Sequence, residues 1–500
     1  MIRVILNSPG YSYDVHSLVK AFYPESDVKV LTDDTDKIEG SQAEPLLVVW
    51  VSEGDIPKDT RVTGYLRVQY EDGKSVDEEE ADFEDKDRGQ VKNLLKITLY
   101  KLLERITGRS LPWGTLTGIR PTKIPMKMIL EGKDDSCIVG YLEDNYLCSS
   151  QKAGLATEIA HREKEITSLV ALSGYSLYIG IPFCPTTCLY CSFTSYPIGA
   201  YRKRVEEYIK ALKKEIDFTA QLYRGLGPDS VYMGGGTPTT LEADELRDLI
   251  SYLKEKIPFD RVKEFTVEAG RPDSITREKL ETLYEMGVTR ISINPQTMND
   301  ETLRIIGRRH TVADVYAAYD LARSTGFTNI NMDIILGLPG EDLNNVMSTL
   351  NKIEELSPDS LTVHSMAIKR AAGMHQYLSE HEEIKSVNTP EMMEEAIGAA
   401  GRMGLVPYYL YRQKNMTGNL ENIGFAKEGK FGIYNILIME EVQSIVALGA
   451  GTVTKKVTPG DGDGGSFSDA KIDRCDNVKD VNLYIEKIDE MIDRKKRLFL

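Results

Sequence analysis

The stretch "SLYIGIPFCPTTCLYCSF" (176–193) joins an apolar run to three closely spaced cysteines, Cys184, Cys188 and Cys191. The run to Phe183 is short, rich in β-branched and aromatic residues and nearly continuous in apolarity, which predicts a buried strand. Working outward, the same texture returns in "SVYMGGG" (230–236), "EFTVEA" (264–269), "RISINPQ" (290–296), "NINMDIILGLPG" (329–340) and "SLTVHSM" (360–366). Amphipathic stretches such as "RVEEYIKALKKEIDFTAQLY" and "NNVMSTLNKIEELS" lie between them. Strand followed by helix, six times, predicts parallel strands with right-handed crossovers. The expected fold is α/β, an open (β/α)6 partial TIM barrel. Glycine and polar residues fall at the C-terminal ends of these strands, where such sheets gather ligands.

Outside this core the texture changes. "RVILNS" (3–8), "VKVLTD" (28–33) and "PLLVVWVS" (45–52) read as strands, and "VKNLLKITLYKLLERITG" (91–108) as a helix capped by Gly108. The charge run 71–90 reads as a solvated loop or hairpin edge. After about residue 376 the alternation stops; 414–435 is turn-rich, "LGAGTVTK" (448–455) reads as a small-residue loop, and 481–499 as a terminal amphipathic helix. The expected organisation is an α+β accessory domain over 1–165, the barrel over 170–375 and a mixed α/β covering region over 376–500.

Bulk properties narrow the classes of function. With 41% hydrophobic and 28% charged residues, the 500-residue chain can bury several cores. A formal net charge of −16 argues against a general nucleic-acid binder. No long uncharged apolar run predicts a membrane span, and the N-terminus lacks a secretory apolar core. Six cysteines, three of them clustered, point to a reducing compartment, with the cytoplasm expected.

Three thiols within eight positions admit three readings. Structural zinc needs a fourth ligand, for which His161 and His364 are conceivable, but the spacing matches no common zinc pattern. A thioredoxin-like pair uses only two cysteines and leaves Cys184 idle. Three ligands of a [4Fe–4S] cluster leave one iron open for an outside ligand.

CxxxCxxC after a first strand, with "MGGGTPT" (233–239) after the second, resembles the radical S-adenosylmethionine (SAM) superfamily. The ordered set "YIGIPFCPTTCLYCSF", "GGGTPT", "ISINPQTMND", "IIGRRHT" and "NMDIILGLPG" resembles the oxygen-independent coproporphyrinogen III oxidases. "PWGTLTGIRPTKI" (112–124) and "YRQKNMTGNLENIGFA" (411–426) are similar to the branch with an added N-terminal domain. The resemblance implies Cys184, Cys188 and Cys191 as cluster ligands. It implies Tyr178, Tyr190, Gly235 and Glu268 as contacts to the SAM on the cluster. Gly236, Thr237, Gln296, Arg308 and Asp333 match contacts to a second SAM, and Ala367 and Ala450 match further SAM contacts. No side-chain catalyst is implied, because a 5′-deoxyadenosyl radical from SAM does the hydrogen abstraction.

The implied reaction converts two propionates of coproporphyrinogen III to vinyl groups, with electrons from a donor such as flavodoxin or ferredoxin and a monomeric enzyme expected. Four propionates call for cations, with Arg120, Lys369, Arg370, Arg412 and Lys414 as candidates and the 412–414 segment favoured. Two departures mark the branch. The best-known enzymes carry a fourth cysteine where this chain has Phe193, and haem-chaperone relatives carry a histidine where it has Tyr434. A haem chaperone, or a radical SAM enzyme acting on haem, is the alternative implied by the relatives with phenylalanine at that place.

Overall fold

The computed structural model describes residues 1–24, 26–32, 45–72, 75–118, 120–171, 174–367, 373–381, 384–412, 420–458 and 470–500. They form two compact units, one of Met1–Glu158 with Arg412–Glu421, the other of Ile159–Tyr411 with Asn422–Leu500.

In the first unit the predicted strands appear as β1 (Ile2–Leu6), β2 (Val28–Leu31) and β3 (Leu46–Val51), followed by a long hairpin of β4 (Arg61–Glu71) and β5 (Val76–Asp87). The sheet order is β2-β1-β3-β4-β5, parallel among the first three and antiparallel beyond. The acidic run is thus an edge strand, which charge protects from pairing with another chain. The helix Arg88–Thr107 begins in an Asp87–Gln90 capping box and ends on Gly108 at φ 64°, a left-handed cap that glycine adopts without strain. Its apolar face, Leu95, Leu99, Leu102 and Leu103, packs into the core with Val4, Leu18 and Val49.

The second unit contains the expected six parallel strands: β6 (Tyr175–Ile181), β9 (Ser230–Gly235), β10 (Glu264–Gly270), β11 (Arg290–Ile293), β12 (Ile330–Leu336) and β13 (Ser360–Ser365). A short pair, β7 (Phe183–Cys184) and β8 (Tyr196–Pro197), closes the loop after β6. Every residue of β11 is buried, as expected for a parallel strand covered on both faces. The fold is an open (β/α)6 partial barrel.

Apart from Arg412–Glu421, the described residues after 376 belong to this same unit, and their strands extend both edges of its sheet. β14 (Val406–Tyr411) and β15 (Asn422–Ala426) add antiparallel beyond β13. β16 (Ser444–Leu448) lies parallel beside β6, and β17 (Val453–Thr458) and β18 (Lys471–Asp476) follow antiparallel. The segment 448–455, expected to be a loop, therefore carries the end of one strand and the start of another. The terminal helix is broken at Lys487 into Val481–Glu486 and Ile488–Phe499.

A buried hub secures these C-terminal elements. Glu215, on the helix Val205–Tyr223, accepts from Lys495 Nζ, Tyr484 Oη, Asn477 Nδ2 at 3.0 Å and Gly449 N at 2.7 Å. Both side chains of the Lys495–Glu215 pair are fully buried. Removing one partner strands the other charge, so Lys495→Met is expected to destabilise the protein by about 3–5 kcal/mol. The check is the urea midpoint followed by tryptophan-independent circular dichroism; an unchanged midpoint contradicts the hub's role.

Candidate active site

The loop after β6 is pinned at several points. Tyr196 N donates to Pro182 O at 2.8 Å, Leu189 N to Ile306 O at 3.0 Å, and Thr186 Oγ1 to Gly307 O at 2.9 Å. Cys184, Cys188 and Cys191 are free thiols, each half-buried. Burial pushes the Cys184 thiol up to about 11, with the Thr237 hydroxyl acting against it and the two neighbouring cysteines adding to the rise. Burial also raises Cys191, and Cys188 is among the charges that add to that rise. The thiols thus sense one another, yet among the described residues no three His, Cys, Asp or Glu side chains converge on one ion position. Three soft sulfur donors on one short loop suit iron–sulfur ligation.

The glycines behind the loop keep its approach open. Gly236 N donates to Ile181 O at 2.8 Å and Thr237 N to Phe183 O at 2.7 Å, so this turn lies against the first strand's backbone. A Cβ on Gly236 would sit 2.6 Å from Phe183 O and 2.8 Å from Ile181 O. Gly235 has φ +103°, a conformation L side chains rarely adopt. Gly236→Ala is therefore expected to displace the cysteine loop; lower iron content after anaerobic reconstitution is the readout, and wild-type content contradicts it.

Inside the barrel Tyr178 and Tyr232 are register partners on β6 and β9. Their rings stack with centroids 6.0 Å apart, and Tyr434 stacks on Tyr232 at 4.6 Å. Tyr232 Oη donates to Glu268 Oε1 at 2.6 Å. Burial raises Glu268 to about 7 against the hydrogen bonds from Tyr232 and Gly235 N; Asp333 raises it further and His364 lowers it. A carboxylate poised there is a strong acceptor for an ammonium or for ribose hydroxyls.

On the far strands, burial acts to raise Asp333, but His364, Asn331 and Thr362 outweigh it and hold the carboxyl below its usual range. Asn331 Nδ2 donates to Asp333 Oδ1 at 2.6 Å, and His364 Nε2 lies 3.7 Å from Asp333 Oδ2. Gln296 adopts φ 68°, with its N donating to Asp333 O and its O accepting from Ile335 N, both at 2.9 Å. A non-glycine residue held there by bonds on both sides marks a constrained site. Arg308 Nη2 donates to Tyr190 Oη at 3.0 Å and Nη1 to Asn294 O, joining the cysteine loop to the end of β11.

The structure thus gathers Tyr178, Gly235, Glu268 and Asp333 into one group of interacting residues. Thr237, Tyr190 and Arg308 lie against the cysteine loop, and Gln296 lies beside Asp333. Ala367 follows β13 at the limit of the described residues. Ala450 is buried, its N–H taken by Tyr208 Oη at 2.9 Å. Lys369, Arg370 and Lys414 lie outside the described residues.

Arg412, expected to face substrate propionates, is 3% exposed and belongs to the first unit. Its guanidinium donates to Leu116 O and lies 5.8 Å over the Trp113 ring; burial lowers its pKa to about 10, opposed by Glu421. Glu421 in turn accepts from Trp113 Nε1 at 2.6 Å and Lys152 Nζ at 2.5 Å. The fixed fork of arginine suits this packed position, which is why a cation in the sequence was open to a binding reading. Tyr232, His364 and Arg271 carry site contacts that the sequence reading did not assign. The signal for Tyr232 was its place two residues before Gly234, on the same face of the sheet as its register partner Tyr178.

Residues 178–353 match the radical SAM superfamily. The chain is 41% identical over 411 residues to the oxygen-independent coproporphyrinogen-III oxidase-like protein HemZ of Bacillus subtilis, spanning 81% of this chain and 80% of that protein. It is 37% identical over 195 residues to the haem chaperone HemW of Bacillus subtilis, 39% of this chain and 51% of that protein. Against the oxygen-independent coproporphyrinogen III oxidase of Escherichia coli K12 it is 33% identical over 192 residues, 38% of this chain and 42% of that protein. The solved structure of Escherichia coli coproporphyrinogen III oxidase HemN superposes with a TM-score of 0.50 at 22% identity, over 66% of this chain and 72% of the other, which speaks for the fold alone. The cofactors of the superfamily are a [4Fe–4S] cluster and SAM. On the extent of these matches, the chain belongs to the oxygen-independent coproporphyrinogen III oxidase-like family of radical SAM proteins.

Proposed function

We propose that this protein carries out the radical-dependent oxidative decarboxylation of coproporphyrinogen III to protoporphyrinogen IX, using electrons from a small donor of the flavodoxin or ferredoxin type. The observation that carries this reading over haem carriage is Tyr434. At the place where the chaperone relatives are expected to carry histidine, its ring is 5% exposed and stacked on Tyr232 beside Glu268. A buried phenol in a stack offers no imidazole to haem iron, whereas it gives SAM an apolar wall.

When bound, the cluster and SAM supply a 5′-deoxyadenosyl radical that abstracts hydrogen from a propionate β-carbon. Cys184, Cys188 and Cys191 would hold the cluster, leaving one iron for SAM. Glu268 accepts from SAM's polar end, and Tyr178, Tyr232 and Tyr434 exclude water from that side of the barrel. Arg308 fixes Tyr190 within the cysteine loop. No proton transfer by a side chain is needed, since the hydrogen leaves as an atom and the carboxylate leaves as carbon dioxide, with one electron per propionate passing to a one-electron acceptor.

The test is anaerobic incubation of the reconstituted protein with SAM, a reductant and coproporphyrinogen III, with products separated by chromatography. Protoporphyrinogen together with 5′-deoxyadenosine is the expected result. Stoichiometric haem binding with neither product overturns the proposal in favour of a carrier.

A further inference from the structure

Just past β10 the chain turns through Arg271, which is 3% exposed and engaged on both edges of its guanidinium. Nε and Nη2 donate to Asp273 Oδ1 and Oδ2 at 2.9 and 2.7 Å, a two-pronged ion pair. Nη1 turns the other way, to Thr186 O at 3.0 Å, Thr186 Oγ1 at 2.7 Å and Cys188 Sγ at 3.7 Å. One rigid cation therefore joins the end of a barrel strand to the middle of the cysteine loop. The other sulfurs take hydrogen bonds from neutral donors and feel the guanidinium charges only at a distance: the Thr237 hydroxyl reaches Cys184 at 3.5 Å, and the Phe193 N–H and the Ser195 side chain reach Cys191. Cys188 instead faces guanidinium groups, with Arg308 also bonding to it. The three ligands are electrostatically unequal.

We propose that Arg271 is a positioning residue that raises the reduction potential of the cluster held by Cys184, Cys188 and Cys191, and that Asp273 sets how much of its charge the Cys188 sulfur feels. Reduction adds an electron whose density spreads onto the sulfurs, so a donor and positive charge at Cys188 stabilise the reduced form more than the oxidised one. The Asp273 carboxylate, paired to the same guanidinium, cancels part of that field. His310 lies 3.9 Å from Asp273, and burial together with Arg308 lowers its pKa to about 4, so it adds no charge near neutrality. The two members of the pair must then act with opposite signs. This inference concerns the cluster and its protein shell, not the identity of the substrate, and its failure leaves the decarboxylation reading standing.

The test uses the full chain, reconstituted anaerobically as wild type, R271M, R271K and D273N. Iron and sulfide per chain are measured first, then the cluster midpoint by spectroscopically monitored potentiometry without substrate. The expected shifts are negative for R271M and positive for D273N. R271K lies between wild type and R271M, since lysine keeps the charge without the fork. An unchanged midpoint in R271M with a full cluster overturns the proposal, as does a D273N shift in the negative direction. Should R271M hold no cluster, D273N decides alone: a positive shift supports the role, and an unchanged midpoint overturns it.

Discussion

Replacing Cys188 with alanine abolishes the cluster: iron retained after anaerobic reconstitution falls at least about 100-fold in affinity terms, since even partners outside the ligand sphere cost about 10–100-fold. The loop explains why no other group rescues it. The remaining cysteines, Cys137, Cys148 and Cys475, are distant in sequence, and Cys137 and Cys148 belong to the first unit. The Arg271 and Arg308 guanidinium groups each lose an acceptor at Cys188. SAM cleavage is lost with the iron. Iron content near wild type in Cys188→Ala refutes the three-cysteine site.

Glu268→Gln is expected to weaken SAM binding about 10–100-fold at pH 8, the value of one charge-assisted hydrogen bond of roughly 1.5–3 kcal/mol. The pH dependence gives the sharper signature. In the SAM-free protein burial holds Glu268 near 7, above an ordinary glutamate, so the folded state takes up a proton more readily than the unfolded one. Its contribution to stability is full below the ordinary glutamate range and is lost as pH rises through about 7. SAM's cationic and hydroxyl donors want the ionised form, so binding strengthens with rising pH across that same window. Glu268→Gln flattens this dependence, whereas Tyr232→Phe, which removes the hydrogen bond that favours ionisation, moves its midpoint upward. Calorimetric titration between about pH 6 and 8.5 spans the window and reads both outcomes. A Gln variant with the wild-type pH profile contradicts the role given to Glu268.

Much of the barrel was legible because its signals are local. β6, β9, β10, β12 and β13 are short apolar runs separated by helices with strong amphipathic pattern, and Gly108 ends its helix through backbone chemistry that a single residue announces. β16 was not legible. "SIVAL" has no helix after it to complete a unit, and its place beside β6 comes from a parallel pairing with Tyr175–Ile179, far away in sequence. The break at Lys487 within the terminal amphipathic pattern has the same character, since packing around Tyr484 and Lys495 rather than periodicity decides it.

The site divides along a similar line. Cysteine spacing, the glycine turn and the strand-end carboxylates are sequence features of the barrel rim. Burial is not. Arg412 reads as a free cation until Trp113 and Leu116, about 300 positions earlier, are seen to enclose it. Tyr232 and Arg271 acquire their partners only through strand register and a strand-end turn, so residue type alone could not mark them.

The most direct test of the whole account uses coproporphyrinogen III deuterated at the propionate β-carbons, incubated anaerobically with SAM and reductant. The account predicts that 5′-deoxyadenosine acquires deuterium as carbon dioxide is released and vinyl groups form. Unlabelled 5′-deoxyadenosine, or intact substrate beside cleaved SAM, would contradict it.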